Sequence, residues 1–304
     1  MIKNALFFIF LFNFLFIQGL SPNFHTAMGK NHPVLGSSYK KGISNSNDQK
    51  ELQHFCQVYK KNNLSKIKPQ QSPKIPKIIH QIWLGSPVPE KFTAYINSWK
   101  QAHPNWEYRL WTDTDIEAFN LENKKLYHAA VNYAERSDIA RYEILYQQGG
   151  IFIDIDMECI KPIDILHHTY DFFASLEPMA EAPFLKKMVI VSNAIIAACP
   201  NHPIIGYCVD RLKMNSHHND IILRTGPIFF TNVLLDSIES KEFTNIVLPA
   251  SYFFPFGKNV KSKKLMEQCI KPETFGIHHW AGSWMFNPSA FIPGYTFKIK
   301  IVQK

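Results

Sequence analysis

No C-x-x-C pair and no zinc-ligand spacing occurs among the five cysteines, Cys56, Cys159, Cys199, Cys208 and Cys269, so they form no recognisable metal or dithiol site. In an exported chain, Cys199 with Cys208, or Cys56 with Cys269, would be candidates for bridging, and the odd total leaves at least one thiol unpaired. No basic-aromatic motif accompanies the net charge of +8, which argues against a nucleic-acid partner. The lysines are concentrated in Lys30 to Lys77 and Lys258 to Lys271, a pattern that suits a solvated or membrane-facing surface and would attract anionic ligands or acidic lipids. Internal repeats are absent. The apolar run from Ala5 to Ile17, broken by Asn13, falls short of the roughly 20 residues a spanning helix needs. Residues 1–20 therefore read as a cleaved signal peptide, with an uncleaved signal anchor as the alternative, and either places the remainder outside the cytosol. Asn63-Leu64-Ser65 is a glycosylation sequon, relevant only in a eukaryotic secretory lumen.

What is present suits a globular enzyme: 304 residues, 46% hydrophobic and 14% aromatic, enough for one large core. Residues 21–74 are rich in Ser, Asn, Lys, Gln and Pro, with helical periodicity only from Leu52 to Leu64, and read as a stem or linker. Folded sequence is expected over 75–304. The pattern predicts strands at Lys77–Leu84, Trp106–Trp111, around Ile151–Ile155, and at Phe172–Leu176, Ala194–Ala198 and Ile246–Leu248. Helices are expected at Pro89–Ala102, Asp113–Asn120, Lys124–Tyr133, Ser137–Gln148, Ile204–Lys213 and Pro227–Ile238. Ser137 is the expected cap of the fourth helix, and Gly149 or Gly150 its left-handed stop. Such alternation predicts an open α/β sheet with a ligand crevice beyond the strand ends.

The most informative stretch is Ser137 to Asp156, SDIARYEILYQQGGIFIDID. On a strand, Asp154 and Asp156 would share a face while Ile151, Ile153 and Ile155 turn into the core. Two carboxylates at the end of a buried strand are costly without a compensating cation, and hard oxygen ligands suit Mg²⁺ or Mn²⁺ with a diphosphate completing the shell. The spacing alone is weak evidence, because Asp113-Thr114-Asp115 repeats it where carboxylates simply stabilise a helix start.

Asp138 and Arg141 are three apart on one helix face, placed either to hold a sugar and phosphate or to form an ordinary surface ion pair. Trp83, before Gly85, is available to stack on a nucleobase or to pack in the core. The segment from His278 to Trp284, HHWAGSW, gathers imidazoles, a hydroxyl and indoles; His278 or His279 is a candidate metal ligand, and Ser283 or Trp284 a candidate diphosphate contact. Apolar-strand D-x-D is also the nucleophile motif of haloacid-dehalogenase-type phosphatases, but Glu158 stands where those enzymes place Thr or Val. A non-enzymatic nucleotide-sugar or glycan-binding module is the remaining alternative.

Together, Ile75 to Trp83 (IPKIIHQIW), Ser137 to Pro162, Ser192-Asn193-Ala194, Thr225-Gly226-Pro227 and the terminal HHWAGSW resemble the DXD-containing glycosyltransferases of family 32, which include the yeast initiating α-1,6-mannosyltransferase and are related to the glucosylating domain of large clostridial toxins. The resemblance implies a GT-A fold, a mostly parallel sheet flanked by helices, and a retaining, metal-dependent transfer of a hexose. It implies a UDP- or GDP-sugar donor, Mn²⁺ or Mg²⁺, and a hydroxyl of a glycan, glycolipid or protein as acceptor. By the same resemblance Asp156 is the direct metal ligand and Asp154 the ribose and metal-water contact. Asp138, Arg141 and Asn193 meet the donor sugar, Trp83 stacks on the base, and His278, Ser283 and Trp284 meet metal and diphosphate. Phe152 stands where many members have tyrosine. The implied location is the secretory pathway or cell envelope, the Golgi lumen in a eukaryote, with possible membrane association through the N-terminus.

Overall fold

The computed structural model describes residues 19–179, 187–216 and 220–282. Its centre is a six-stranded sheet built from β1 (Ile78–Ile82), β2 (Glu107–Trp111), β3 (Gly150–Ile153), β5 (Phe172–Leu176), β6 (Val191–Ala198) and β7 (Asn245–Leu248), in the order β2-β1-β3-β6-β5-β7. A separate ladder pairs β4 (Met157–Cys159) with β8 (Gly276–His278), antiparallel. In the main sheet β1 is parallel to β2 and β3, and β5 to β7; only β6 runs against its neighbours. This is the mostly parallel, helix-flanked α/β fold expected from the alternation of elements. Every residue of β3, β5, β6 and β7 is buried, as strands covered on both faces must be, whereas β2 at the edge is mostly half-exposed.

Five helices of ten or more residues flank this sheet among the described residues: α1 (Ser46–Asn62), α2 (Thr93–Ala102), α3 (Tyr133–Gln148), α4 (Pro203–Asn215) and α5 (Pro227–Ser237). The largest correction concerns the stretch read as stem or linker. Leu52, Phe55, Cys56 and Tyr59 form an i, i+3, i+4, i+7 stripe on α1 and belong to the main core. Asn62 Nδ2 donates to the Asn245 carbonyl at 2.8 Å, and the Tyr59 and Tyr252 hydroxyls meet at 3.0 Å, so α1 covers the open edge at β7. The polar residues that suggested a linker occupy the outer face of the helix.

A second correction concerns α3, which starts at Tyr133 with Asn132 as its cap, the Asn132 side chain accepting from the Ala134 N–H at 2.7 Å. Ser137 lies one turn inside, where its hydroxyl accepts from Arg141. The helix stops as expected: Gly149 and Gly150 both have positive φ, 65° and 95°. A Cβ on Gly150 would lie 2.7 Å from the Ile78 carbonyl oxygen, so the stop also lets β3 pass close to β1. All five cysteines are free thiols, so neither suggested bridge forms. Among the described residues, no helix is long and apolar enough to cross a membrane. Residues 1–18, which carry nearly all of the expected targeting segment, lie outside them.

Candidate active site

The two carboxylates converge, but by a different device from strand alternation. β3 ends at Ile153, and the Asp154 N–H makes a final rung to the Ala194 carbonyl at 2.8 Å. The chain then turns, with the Met157 N–H donating to the Asp154 carbonyl at 3.1 Å, and enters β4. Asp154, Ile155 and Asp156 form this turn rather than an extended strand, because the chain leaves the main sheet to join the β4–β8 ladder. Ile151, Ile153 and Ile155 are buried as expected.

The ladder pairs Met157 with His278 and so delivers an imidazole to the turn. His278 Nε2 lies 3.2 Å from Asp156 Oδ1, and Asp156 Oδ2 accepts the Ala281 N–H at 2.7 Å. The backbone closes the same corner: the His279 N–H donates to the Asp156 carbonyl at 3.0 Å. One donor atom each from Asp154, Asp156 and His278 lies within 4.8 Å of the others. Two carboxylate oxygens and an imidazole nitrogen are a donor set that Mn²⁺ accepts readily and Mg²⁺ less so, and the residues present fit a divalent cation.

The electrostatics agree with that donor set. Burial alone would raise the Asp156 carboxyl, but the His278 imidazole and the Ala281 N–H hold it down at about 2. His278 is shifted up: burial acts against its charge, and Asp156 outweighs it. Asp154 is pushed up by burial and by the neighbouring Asp156 charge, with Arg141 and His278 opposing. The two acids thus favour a positive charge at this corner, whether a proton on His278 or a bound cation that takes its place.

Arg141, on α3, faces the other side of the turn. Its Nη1 donates to the Asn193 carbonyl at 2.6 Å, Nη2 to the Ser137 hydroxyl at 3.2 Å, and Nε to the Ser137 carbonyl at 3.3 Å. Nη2 also lies 3.1 Å from Asp138 Oδ1 and 3.6 Å from Asp154 Oδ1. The guanidinium sits 4.2 Å from the centre of the Phe152 ring, so Phe152 serves as a cation–π floor.

Asp138 is buried and heavily used. Its Oδ1 accepts from Asn193 Nδ2 at 2.9 Å and its Oδ2 from the Thr225 hydroxyl at 2.9 Å. Burial pushes the carboxyl up to about 7, with Arg141 and Thr225 opposing. The Asp138–Arg141 pair is therefore an internal ion pair, not a surface one. Trp83 follows β1, half-buried, with its Nε1 donating to Ser86 Oγ at 3.1 Å and its ring 5.4 Å from Phe92. Ser283 and Trp284 lie outside the described residues.

Asp113 and Asp115 behave as helix-start residues. The Asp115 carboxylate accepts from the Thr112 N–H and hydroxyl, and Asp113 from the Gly85 N–H at 2.7 Å. Residue-type reasoning assigned no role to Gln81, which holds the turn from below through the Asp154 carbonyl. Of the two histidines offered as metal ligand, His278 joins the carboxylates, while His279 turns to a pairing that was not foreseen, its Nε2 meeting Glu158 Oε2 at 2.9 Å and its ring stacking on Tyr95 at 4.3 Å. Gln81 and Glu158 had only their membership of the IPKIIHQIW and Ser137–Pro162 segments as a signal, and Tyr95 had none.

Residues 89–173 match the family described as "Glycosyltransferase sugar-binding region containing DXD motif", a span that holds Asp138, Arg141, Asp154 and Asp156. The chain is 32% identical over 176 residues to Inositol phosphoceramide mannosyltransferase 1 of Schizosaccharomyces pombe, covering 54% of this chain and 52% of that protein. It is 30% identical over 180 residues to Mannosyl phosphorylinositol ceramide synthase SUR1 of Saccharomyces cerevisiae, covering 54% and 44% respectively. The chain spans about half the length of the curated relatives it matches. Among solved structures, PaToxG Glycosyltransferase superposes with a TM-score of 0.46 at 23% identity, over 62% of this chain and 78% of that one.

Proposed function

From a chain that carries the DXD-containing sugar-binding region of glycosyltransferases at residues 89–173, we infer a metal-dependent hexosyltransferase that uses a nucleotide-sugar donor. The observation that carries this reading is the convergence of Asp154, Asp156 and His278 on one point, with the Arg141 guanidinium 3.6 Å from Asp154. Asp154, Asp156 and His278 would hold the cation, Mn²⁺ by preference. When bound, such an ion neutralises charge that builds on a departing diphosphate.

The chain's own residues do the rest. Arg141, clamped on Phe152 and the Asn193 carbonyl, presents fixed positive charge to the donor on the Asp154 side of the turn. Asn193 holds both members of the pair, its Nδ2 on Asp138 and its carbonyl on Arg141. Trp83 supplies the indole for the base, and Ser283 and Trp284 the diphosphate contacts implied by the resemblance. Of the site's three acids among the described residues, Asp138 is engaged by three donors, Asp156 by His278 and Ala281, and Asp154 is assigned to the cation, which leaves none of the three as the nucleophile. That supports same-face attack by an acceptor hydroxyl, with retention of configuration and the leaving phosphate oxygen taking the proton.

The names of the yeast relatives favour mannose, hence a GDP-sugar, and a glycolipid acceptor of the inositol phosphoceramide class. The same reading places the enzyme in the secretory pathway. A donor-hydrolysis screen across UDP- and GDP-sugars, with and without Mn²⁺, tests it. The expected result is metal-dependent release of one nucleoside diphosphate, abolished in Asp156→Ala with the fold intact. Metal-independent hydrolysis, or a fully active Asp156→Ala, refutes the assignment.

A further inference from the structure

The turn Thr225-Gly226-Pro227 has a structural logic that leads back to the site. Thr225 closes the short helix Ile221–Arg224, and Pro227 opens α5 at a position where a missing N–H costs nothing. Two side chains of this clip reach α3 one turn apart. Arg224 forks onto both oxygens of Glu135, and the Thr225 hydroxyl donates to Asp138 Oδ2 at 2.9 Å. The Thr225 carbonyl is held in turn by the Tyr142 hydroxyl, also at 2.9 Å. Thr225 is 3% exposed and Asp138 6%, so water does not compete for these bonds.

We propose that Thr225 is a positioning residue for the donor site. Its hydroxyl fixes the rotation of the Asp138 carboxylate, so that Oδ1 faces Arg141 and Asn193 and the guanidinium is aimed at the Asp154 turn. The inference rests on the donor-binding reading given above. Asp138, with three donors converging on its two oxygens, anchors Arg141 and keeps an acceptor site on Oδ2 for the donor sugar. Among the described residues, Thr225 is the partner that sets the direction of Oδ2. Without that bond the carboxylate swings about χ2, and Arg141 loses its alignment while keeping its charge. The fault is then one of aim, felt in the reacting complex more than in nucleotide affinity.

Thr225→Val keeps the shape and removes the hydroxyl; Thr225→Ser restores the hydroxyl and removes the methyl. Both are made in the full chain and read in two ways. In the ligand-free protein, ¹⁵N-observed NMR follows the Arg141 Nε–H, assigned by its loss in Arg141→Lys. The expected signal is resolved and slowly exchanging in the wild type and Thr225→Ser, and averaged in Thr225→Val. With Mn²⁺ and a hydrolysed donor, kcat falls about tenfold in Thr225→Val and recovers in Thr225→Ser, while the Kd for the free nucleoside diphosphate stays unchanged. Thr225→Ala replaces the valine variant should the latter not fold.

An unaltered Arg141 signal and kcat in Thr225→Val overturn the proposal. So does a serine variant as impaired as the valine one, which would make the methyl and not the hydroxyl the cause. Failure of both valine and alanine variants to fold would make Thr225 a folding residue and overturn it as well. If the wild type hydrolyses no nucleotide sugar, the functional reading fails on its own, and the NMR arm still decides the positioning claim.

Discussion

Gln81 Nε2 donates to the backbone carbonyl of Asp154 at 3.2 Å, while Gln81 Oε1 accepts the Tyr108 hydroxyl at 2.6 Å. The carboxylate turn is thus tied to β1 and, through β1, to the sheet edge at β2. Gln81 is fully buried, so neither bond is exchanged for water. Gln81→Leu removes both bonds, leaving the Tyr108 hydroxyl without its acceptor and the Asp154 carbonyl with the Met157 N–H as its remaining donor, which is expected to cost about 1–3 kcal/mol of stability. Turnover should fall more steeply than stability, by about tenfold, because the turn loses its support from below. Urea unfolding alongside donor hydrolysis checks both; an unchanged kcat would remove Gln81 from the site.

His80 carries a pH prediction. Its Nε2 bonds the Gly149 carbonyl at 2.9 Å and its Nδ1 accepts the Trp111 indole N–H at 3.1 Å, so the neutral ring alone satisfies both partners. Burial lowers its pKa to about 4, and His202, likewise buried, is lowered to about 4. The unfolded chain protonates both near the ordinary value of 6.5, so the stability they contribute is complete above that pH. It is lost as pH falls toward 4, by about 3 kcal/mol for each ring. Urea midpoints should therefore drop between neutral pH and pH 4, and less steeply in a His80→Gln variant. A midpoint flat across that window contradicts the neutral assignment.

Gly150 is expected to be intolerant. At φ 95° any side chain is strained, and a Cβ would meet the Ile78 carbonyl oxygen at 2.7 Å and His80 Nε2 at 2.9 Å. Gly150→Ala should cost about 2–4 kcal/mol, from the φ penalty plus separation of β1 from β3. The measured unfolding free energy decides, with a change under ~1 kcal/mol counting against the close approach.

How much of this was legible beforehand divides by mechanism. Period and punctuation located the strands and the Gly-Gly stop, because a buried parallel sheet writes its burial directly into apolar runs such as that of β3. The same reasoning missed β4 and β8, three residues each, whose partners lie more than a hundred positions apart and leave no local pattern. It also misjudged α1, since composition averages over a helix whose one apolar stripe is its working face. The convergence of Asp154 and Asp156 was expected for the wrong local reason. Their meeting depends on the β4–β8 ladder that brings His278 alongside, a long-range pairing no spacing rule contains.

The α1 correction is itself testable. Phe55 is completely buried in the main core, so Phe55→Ala should cost about 3–5 kcal/mol. A stem standing away from the domain would tolerate the change with no shift in the unfolding midpoint.

The central claim is that Asp154, Asp156 and His278 share one divalent cation, and Mn²⁺ titration followed by electron paramagnetic resonance, with and without a nucleoside diphosphate, tests it most directly. One bound ion is expected in the wild type, tightened by the diphosphate and lost in both Asp156→Asn and His278→Ala. Equal Mn²⁺ binding in the variants, or none in the wild type with the diphosphate present, would contradict it.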